Sequence, residues 1–328
     1  MSTEPFEPSA DASPGPRAAP SPWWRRALPF ALAAGFIAYT LHKVDLPTFA
    51  RRVAAVDLPA FAAFSIGFLL LLLTADTFAT VIVYRRTVAP VRFGELWILR
   101  GASYLPSLLN HHVGQAFLTY YVARGHGVPL SRMAGGTLLV YVSWLGLLAG
   151  TGCLAMVMAG LPLLLPAAVV VAGLGYLAVI AARPASLARA KVLAPLFEAG
   201  LAGHLLAMLV RLPHLAVLFA GTWLPFRFFG VDIPFVSALA YVPILMVGVT
   251  LPITPQGLGT RDLIAVHFFE PFAPGGTPGE RFAAIAAATA SWAAACMITQ
   301  GLFGLVLLRR ALPALERRAP APVPGPAT

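Results

Sequence analysis

The sequence predicts an all-α, polytopic transmembrane helical bundle, and three observations predict it. Of the 328 residues, 59% are apolar and only 11% charged, against ~45–50% and ~25% in an ordinary soluble domain. The apolar runs are long: Leu58 to Tyr84 carries Asp76 as its only charge, and roughly 20 apolar residues already cross a ~30 Å hydrocarbon layer. The basic residues gather at the ends of these runs, where the positive-inside bias places them. Membrane topology therefore accounts for the net charge of +10. No nucleic-acid partner is expected, because there is neither a soluble basic domain nor a recognition motif. Cys153 and Cys296 both fall inside expected spans, so no disulfide framework or Cys-based metal site is legible.

Taken in order, residues 1–24 are rich in Pro, Ala and Ser and carry Glu4, Glu7 and Asp11, too little apolar surface to fold, which predicts a disordered cytoplasmic tail. Arg25 and Arg26 precede the run Ala27 to Leu41; the long polar lead and the lack of a cleavage site after the run predict a retained span rather than a signal peptide. The transmembrane domain is expected over 25–310, and the arginines from Arg309 onward, followed by Pro and Ala, predict a second disordered cytoplasmic tail over 311–328. About eight crossings are expected, at 27–42, 58–84, 133–159, 161–182, 201–225, 235–253, 256–271 and 281–308. Arg85, Arg86 and Arg92 follow the second, Arg183, Arg189 and Lys191 follow the fourth, and the uncharged hairpin Gly160 to Pro162 lies on the opposite side. This arrangement predicts the inner (plasma) membrane with both termini cytoplasmic. The first outer loop, with Lys43, Arg51 and Arg52 against Asp45 and Asp57, fits the bias less well.

Two segments break the pattern. Phe93 to Arg124 mixes apolar residues with Glu95, Arg100, Pro106, Asn110, His111, His112, Gly114 and Gln115, too polar for lipid and therefore expected as a broken or re-entrant helix pair sheltered by protein or a wet cavity. Leu251 to Asp262 holds Pro252, Pro255, Gly257 and Gly259 inside apolar sequence, a helix breaker followed by a new helix start. A broken helix exposes backbone N–H groups and a positive dipole end that favour a negative group. One interrupted segment in each half of a membrane protein is also the sequence pointer to a transporter's binding site. The plainer reading is a kinked span in which Arg261 snorkels beside Asp262 as a simple ion pair.

Other polar positions carry competing readings. His111 and His112 are adjacent and project in different directions on a helix, so lining a cavity with Asn110 and Gln115 is expected rather than metal binding. Tyr120, Tyr121 and Arg124 suit head-group oxygens, yet aromatic residues beside a base also furnish an ordinary membrane interface. Asp76 is costly in a span and is expected to face the bundle interior, bonded to Thr74, Thr77 or a neighbouring helix. Arg211, flanked by His204 and His214, is expected to pair with Asp76, to contact phosphate or to snorkel. Gly101, Gly135, Gly136, Gly146, Gly150, Gly301 and Gly304 are expected to permit close helix packing. No nucleotide loop, zinc-protease word or nucleophile elbow appears, so neither a cofactor nor a catalytic residue is expected.

Leu251-Pro-Ile-Thr-Pro-Gln-Gly-Leu-Gly-Thr-Arg-Asp262, Asn110-His-His-Val-Gly-Gln115 and Tyr121-Val-Ala-Arg-Gly-His-Gly-Val-Pro129 resemble the words of the lysylphosphatidylglycerol synthase transmembrane-region family, over about residues 25–310. The resemblance implies a polytopic fold with two re-entrant segments meeting in the membrane, and some members are linked to moving aminoacylated phospholipid between leaflets. Gln256 stands where the family typically has Gly, and Asp262 where it has Glu. No proline adjoins Asn110, Gln115 sits where an acid is frequent, and the usual base near Thr119 is missing. Bifunctional members add a soluble aminoacyltransferase domain, for which no room is seen after Leu308, so synthesis of the lipid is not expected.

The expected function is an integral membrane lipid transporter of flippase type, not an enzyme, that takes a phospholipid or polyprenyl-type head group into a polar intramembrane cavity. Its expected site is Asn110, His112, Gln115, Tyr121, Arg124, Gln256, Gly257, Gly259, Thr260, Arg261 and Asp262, and its expected partners are membrane lipids and proteins of envelope-lipid biosynthesis. The alternative is a non-transporting accessory protein of envelope-lipid biosynthesis, hopanoid or glycolipid.

Overall fold

The computed structural model describes residues 45–250 and 260–317, and these fold as helices with no strand. The described chain opens on α1 (Leu46–Ala54) and α2 (Leu58–Thr87), each started by an aspartate that caps it: Asp45 Oδ1 accepts from Thr48 N at 2.8 Å and Asp57 Oδ1 from Ala60 N at 3.1 Å. Three shorter helices follow, α3 (Phe93–Ala102), α4 (Tyr104–Leu109) and α5 (His111–Gly125). Then come α6 (Leu130–Met158), α7 (Leu164–Ala182), the single turn α8 (Ala185–Ala188), α9 (Ala194–Leu209) and α10 (Leu212–Trp223), the last continued by a 3₁₀ stretch Leu224–Phe229. The described chain closes with α11 (Phe235–Thr250), α12 (Thr260–Phe269) and the long α13 (Pro278–Arg317).

Five stretches among the described residues are long and apolar enough to cross a membrane: Leu58–Thr87, Leu130–Met158, Leu164–Ala182, Ala194–Phe229 and Pro278–Pro313. They correspond to five of the expected crossings. The expected span 27–42 lies outside the described residues. The two expected crossings 235–253 and 256–271 correspond to α11 and α12, of which 16 and 10 residues are described, about 24 and 15 Å of helix; residues 251–259 between them lie outside the described residues. The expected C-terminal tail also starts later than residue 311. Ala311 is buried in the core, and α13 runs on to Arg317.

Side-chain contacts fix which ends lie together. Arg132 at the start of α6 donates to Thr87 O at the end of α2 (3.1 Å) and pairs with Glu198 at the start of α9 (2.6 Å). Glu95 at the start of α3 faces His126 just past α5 (3.8 Å). The segment α3–α4–α5 thus leaves and returns at one end of the bundle, the end that carries Arg85, Arg86, Arg92, Arg124, Arg183 and Arg189. At the far end, Phe268 of α12 stacks on Tyr241 of α11 (4.8 Å), Ile264 fills the space a Cβ on Gly248 would take, and Glu270 pairs with Arg281 (3.1 Å). The arms α11 and α12 therefore run antiparallel and both open at that far end. Two hairpins enter the bundle from opposite ends.

α13 links them. Arg261, at the start of α12, donates to Thr289 O (3.0 Å), while a Cβ on Gly304 would lie 2.8 Å from Leu105 N of α4, and one on Gly101 would overlap Leu307. Four of the seven glycines expected to allow close packing, Gly101, Gly135, Gly136 and Gly304, meet a neighbour that leaves no room for a Cβ. Gly301 is in ordinary contact with Leu108, Gly146 touches only the end of Met208, and Gly150 faces open space, so the Gly146–Gly150 pattern seats no helix among the described residues.

The apolar core is split in two. One cluster, at the arginine-rich end, joins Tyr84, Leu96, Leu118, Met133 and Leu196; the other, at the far end, joins Phe61, Phe226, Ile233, Phe269 and Ile285. Along α2, Asp76 falls between the residues that feed the two clusters; along α6 the change comes between Val142, packed against the first, and Trp144, packed against the second.

Candidate functional site between the two cores

An ionisable side chain away from water is tolerated only when paired, and the layer between the cores is built on that requirement. Asp76 is 6% exposed and accepts from Arg100 Nε at 2.6 Å through one oxygen and from Arg211 Nη1 at 3.1 Å through the other. Arg100 comes from the first hairpin; its Nη1 donates to Gln115 Oε1 at 2.8 Å, which ties α3 to α5. Arg211, 2% exposed, comes from the break between α9 and α10, and it also donates to Thr80 Oγ1 and His214 Nδ1, both at 3.3 Å. Its Nε has no partner among the described residues. Two guanidiniums facing one carboxylate leave one excess positive charge, a standing attraction for an anion in a medium of low dielectric.

α6 carries this layer along one face. Thr137, Tyr141 and Trp144 recur at helical spacing: Thr137 bonds Tyr84 (2.8 Å) and Thr119 (3.1 Å), Tyr141 OH bonds His111 Nε2 (3.0 Å), and Trp144 packs on His214 (5.1 Å between centroids). Beyond Trp144 lies a cavity of about 160 Å³ lined by Trp144, Phe226, Met246 and Trp292, with Arg261, Thr222 and Thr289 as its polar groups. Arg261 uses Nη2 on Thr289 O, and its Nε has no partner among the described residues.

The expected site residues meet different fates. Gln115 joins the buried layer and Arg261 reaches the cavity. Asn110 is exposed and acts as the cap of α5, its side-chain oxygen accepting from His112 N at 2.8 Å. His112 is exposed beside it, 5.9 Å from His111 between ring centroids. Tyr121 packs on Phe117 at 4.7 Å, and Arg124 donates to Tyr120 OH at 3.0 Å near the arginine-rich end; neither joins the layer around Asp76. Asp262 forms no ion pair with Arg261 among the described residues, because adjacent helical positions point about 100° apart, and its Oδ1 is buried without a partner there. Thr260 begins α12, and Gln256, Gly257 and Gly259 lie outside the described residues.

The expected bond from Asp76 to Arg211 is present, whereas those to Thr74 and Thr77 are not: Thr74 accepts from Trp97 (3.2 Å), and Thr77 Oγ1 is buried without a partner among the described residues. His204 bonds Tyr176 (2.7 Å) and Gly200 O (2.7 Å) instead of sharing Arg211's surroundings. Sequence reading overlooked Arg100 as Asp76's second partner and Tyr141 and Trp144 as members of the layer. The available signal was the short roster of charges within apolar stretches, in which Asp76 is the one acid inside the run Leu58 to Tyr84 and Arg100 and Arg211 are among the few bases.

A family model described as lysylphosphatidylglycerol synthase TM region matches residues 26–298. The chain belongs to this lysylphosphatidylglycerol synthase transmembrane-region family. The match takes in both hairpins, the layer around Asp76 and the cavity at Arg261. Neither a curated protein nor a solved structure matches the chain. Membership establishes an integral membrane protein.

Proposed function

We propose that this protein is a flippase-type lipid transporter that draws an anionic head group, of phospholipid or polyprenyl-phosphate type, into the layer between the two cores while the tails stay in the bilayer. The observation that carries the reading is the charge imbalance there: Arg100 and Arg211 share the single carboxylate of Asp76, and Nε of Arg211 has no partner among the described residues. The two hairpins, opening at opposite ends and directed toward each other along α13, support two-sided access. Read as re-entrant segments, they shorten the distance a head group covers without water, and the arginines replace the hydration whose loss would otherwise block its passage. Arg261 and the cavity beside it form the station nearer the far end.

On this reading the chain carries out no covalent chemistry. The arginine-rich end faces the cytoplasm, as the positive-inside bias requires, and the membrane is the plasma membrane. The test is leaflet exchange of labelled phospholipids and polyprenyl phosphates in liposomes holding the full-length protein. Arg211→Gln, which leaves Asp76 paired with Arg100, is expected to slow exchange about tenfold or more, as a barrier rise of about 1.4 kcal/mol would. Arg132→Gln, at the bundle end, should leave exchange unchanged. Absence of exchange for every lipid tested, or equal rates in wild type and Arg211→Gln, would overturn the proposal.

A further inference from the structure

His214 is a titratable group of the layer around Asp76 to which no task has yet been given. It stands in the first turn of α10, 9% exposed, with Nδ1 3.3 Å from Arg211 Nη1. A guanidinium nitrogen only donates, so Nδ1 is the acceptor and the imidazole is neutral, with its hydrogen on Nε2. A proton added at Nδ1 sets N–H against N–H and cancels that bond. The same Nη1 donates to Asp76 Oδ1 at 3.1 Å. The protonation of His214 and the seating of Arg211 on Asp76 are therefore decided together.

The charged groups that face His214 come from separate elements: Asp76 from α2, Arg100 from α3 and Arg211 from just ahead of α10. α6 turns the Trp144 ring to it, 5.1 Å between centroids. The ionisable groups of α6 are engaged elsewhere, Arg132 with Glu198 and Tyr141 with His111. Tyr241 of α11 stacks on Phe268, Tyr84 of α2 bonds Thr137, and Arg227 of the 3₁₀ stretch lies over Trp223 and 4.0 Å from Asp232. With His214 neutral, two guanidiniums against one carboxylate leave the layer one positive charge. An anion seated there cancels that charge, and a negative neighbour within ~4–6 Å favours the protonated ring. The anion also draws N–H groups of Arg211 to itself, which releases Nδ1. One proton on His214 then restores the net charge that the empty layer carried.

We infer that His214 is a proton-binding site linked to the anion site, taking up one proton from solution as one anion binds between Arg100 and Arg211. The inference rests on the proposal that this layer receives an anion, and it supplies the second ion of the process. A monoanion and a proton that enter and leave together carry no net charge, so the step is indifferent to the membrane potential and a pH difference drives it. Linkage is reciprocal: the proton strengthens anion binding by the same factor by which the anion strengthens proton binding. Anion binding is thus tighter at low pH and weakens by up to about tenfold per pH unit as His214 loses its proton.

The experiment is calorimetric titration of the full-length protein in an uncharged detergent with dihexanoyl phosphatidylglycerol, whose phosphodiester takes up no proton near neutral pH. Repeating it in buffers of different ionisation heat counts the protons taken up per lipid bound. The parent is expected to take up about one proton at the acid side of neutrality. His214→Gln, whose amide oxygen still accepts from Arg211 Nη1, is expected to bind with no proton uptake and with an affinity that no longer changes with pH. His267→Gln, at an exposed position of α12, should keep the parent's count. Binding by the parent without proton uptake would overturn the inference, with no variant needed, and leave the proposed function standing. Uptake that persists in His214→Gln would overturn it by giving the proton to another group. Absence of any binding heat would remove the anion site, and the inference with it.

Discussion

Asp76 holds two arginines from different parts of the chain, so its removal should be the costliest single change in the bundle. Asp76→Asn leaves Arg100 and Arg211 buried and unopposed, and breaking a buried pair in this way costs about 3–5 kcal/mol. Arg100→Gln, which leaves a one-to-one pair, should cost clearly less. Thermal unfolding in detergent should rank the two variants in that order, and the reverse order would show that Arg100 rather than Asp76 anchors the layer. Asn110 belongs to another class. Its oxygen closes the first turn of α5, so Asn110→Ala should lose roughly 1 kcal/mol of stability and Asn110→Ser nearly none. If Asn110→Ser instead stopped lipid exchange in a protein of normal stability, Asn110 would return to the head-group site. A conspicuous polar residue in an apolar stretch announced itself equally in both cases; whether it served a helix end or a buried ion pair depended on what lay across from it.

The first hairpin is seated by glycine. A Cβ at Gly304 would lie 2.8 Å from Leu105 N, a backbone atom that cannot swing aside, whereas at Gly67 of α2 nothing lies within 4 Å. Gly304→Ala should therefore destabilise by about 1–3 kcal/mol through overpacking, and Gly67→Ala should be neutral or slightly stabilising. Equal unfolding temperatures for the two variants would place α4 farther from α13. The break at Asn110 fell inside a stretch whose polar residues already marked it, whereas Pro252 and Pro255 lie outside the described residues. The kink inside α9 carried no such mark. Gly200 takes φ 59 and ψ −170 there, a conformation open to glycine alone, but a glycine among alanines and leucines reads equally well as straight helix.

Opposed hairpins make a claim about the whole molecule that labelling can check. With Cys153 and Cys296 replaced, a cysteine at Gly127, beside the mouth of the first hairpin, and one at Gly276, beyond the second, should react with an impermeant thiol reagent from opposite sides of the membrane. Labelling of both from one side would remove the inverted arrangement and the two-sided access built on it.

Composition and the length of the apolar runs were enough to establish helices in a membrane, the five long spans and the break in the first polar segment, because hydrocarbon demands that each helix satisfy its own backbone and that requirement is written locally. The meeting of Asp76 with Arg100 and Arg211, the splitting of the core and the employment of Asp45 and Asp57 as caps were settled by folding. Each depends on partners distant in sequence or on a choice between two bonds of similar worth, and helical periodicity does not encode which face of one helix turns toward which face of another.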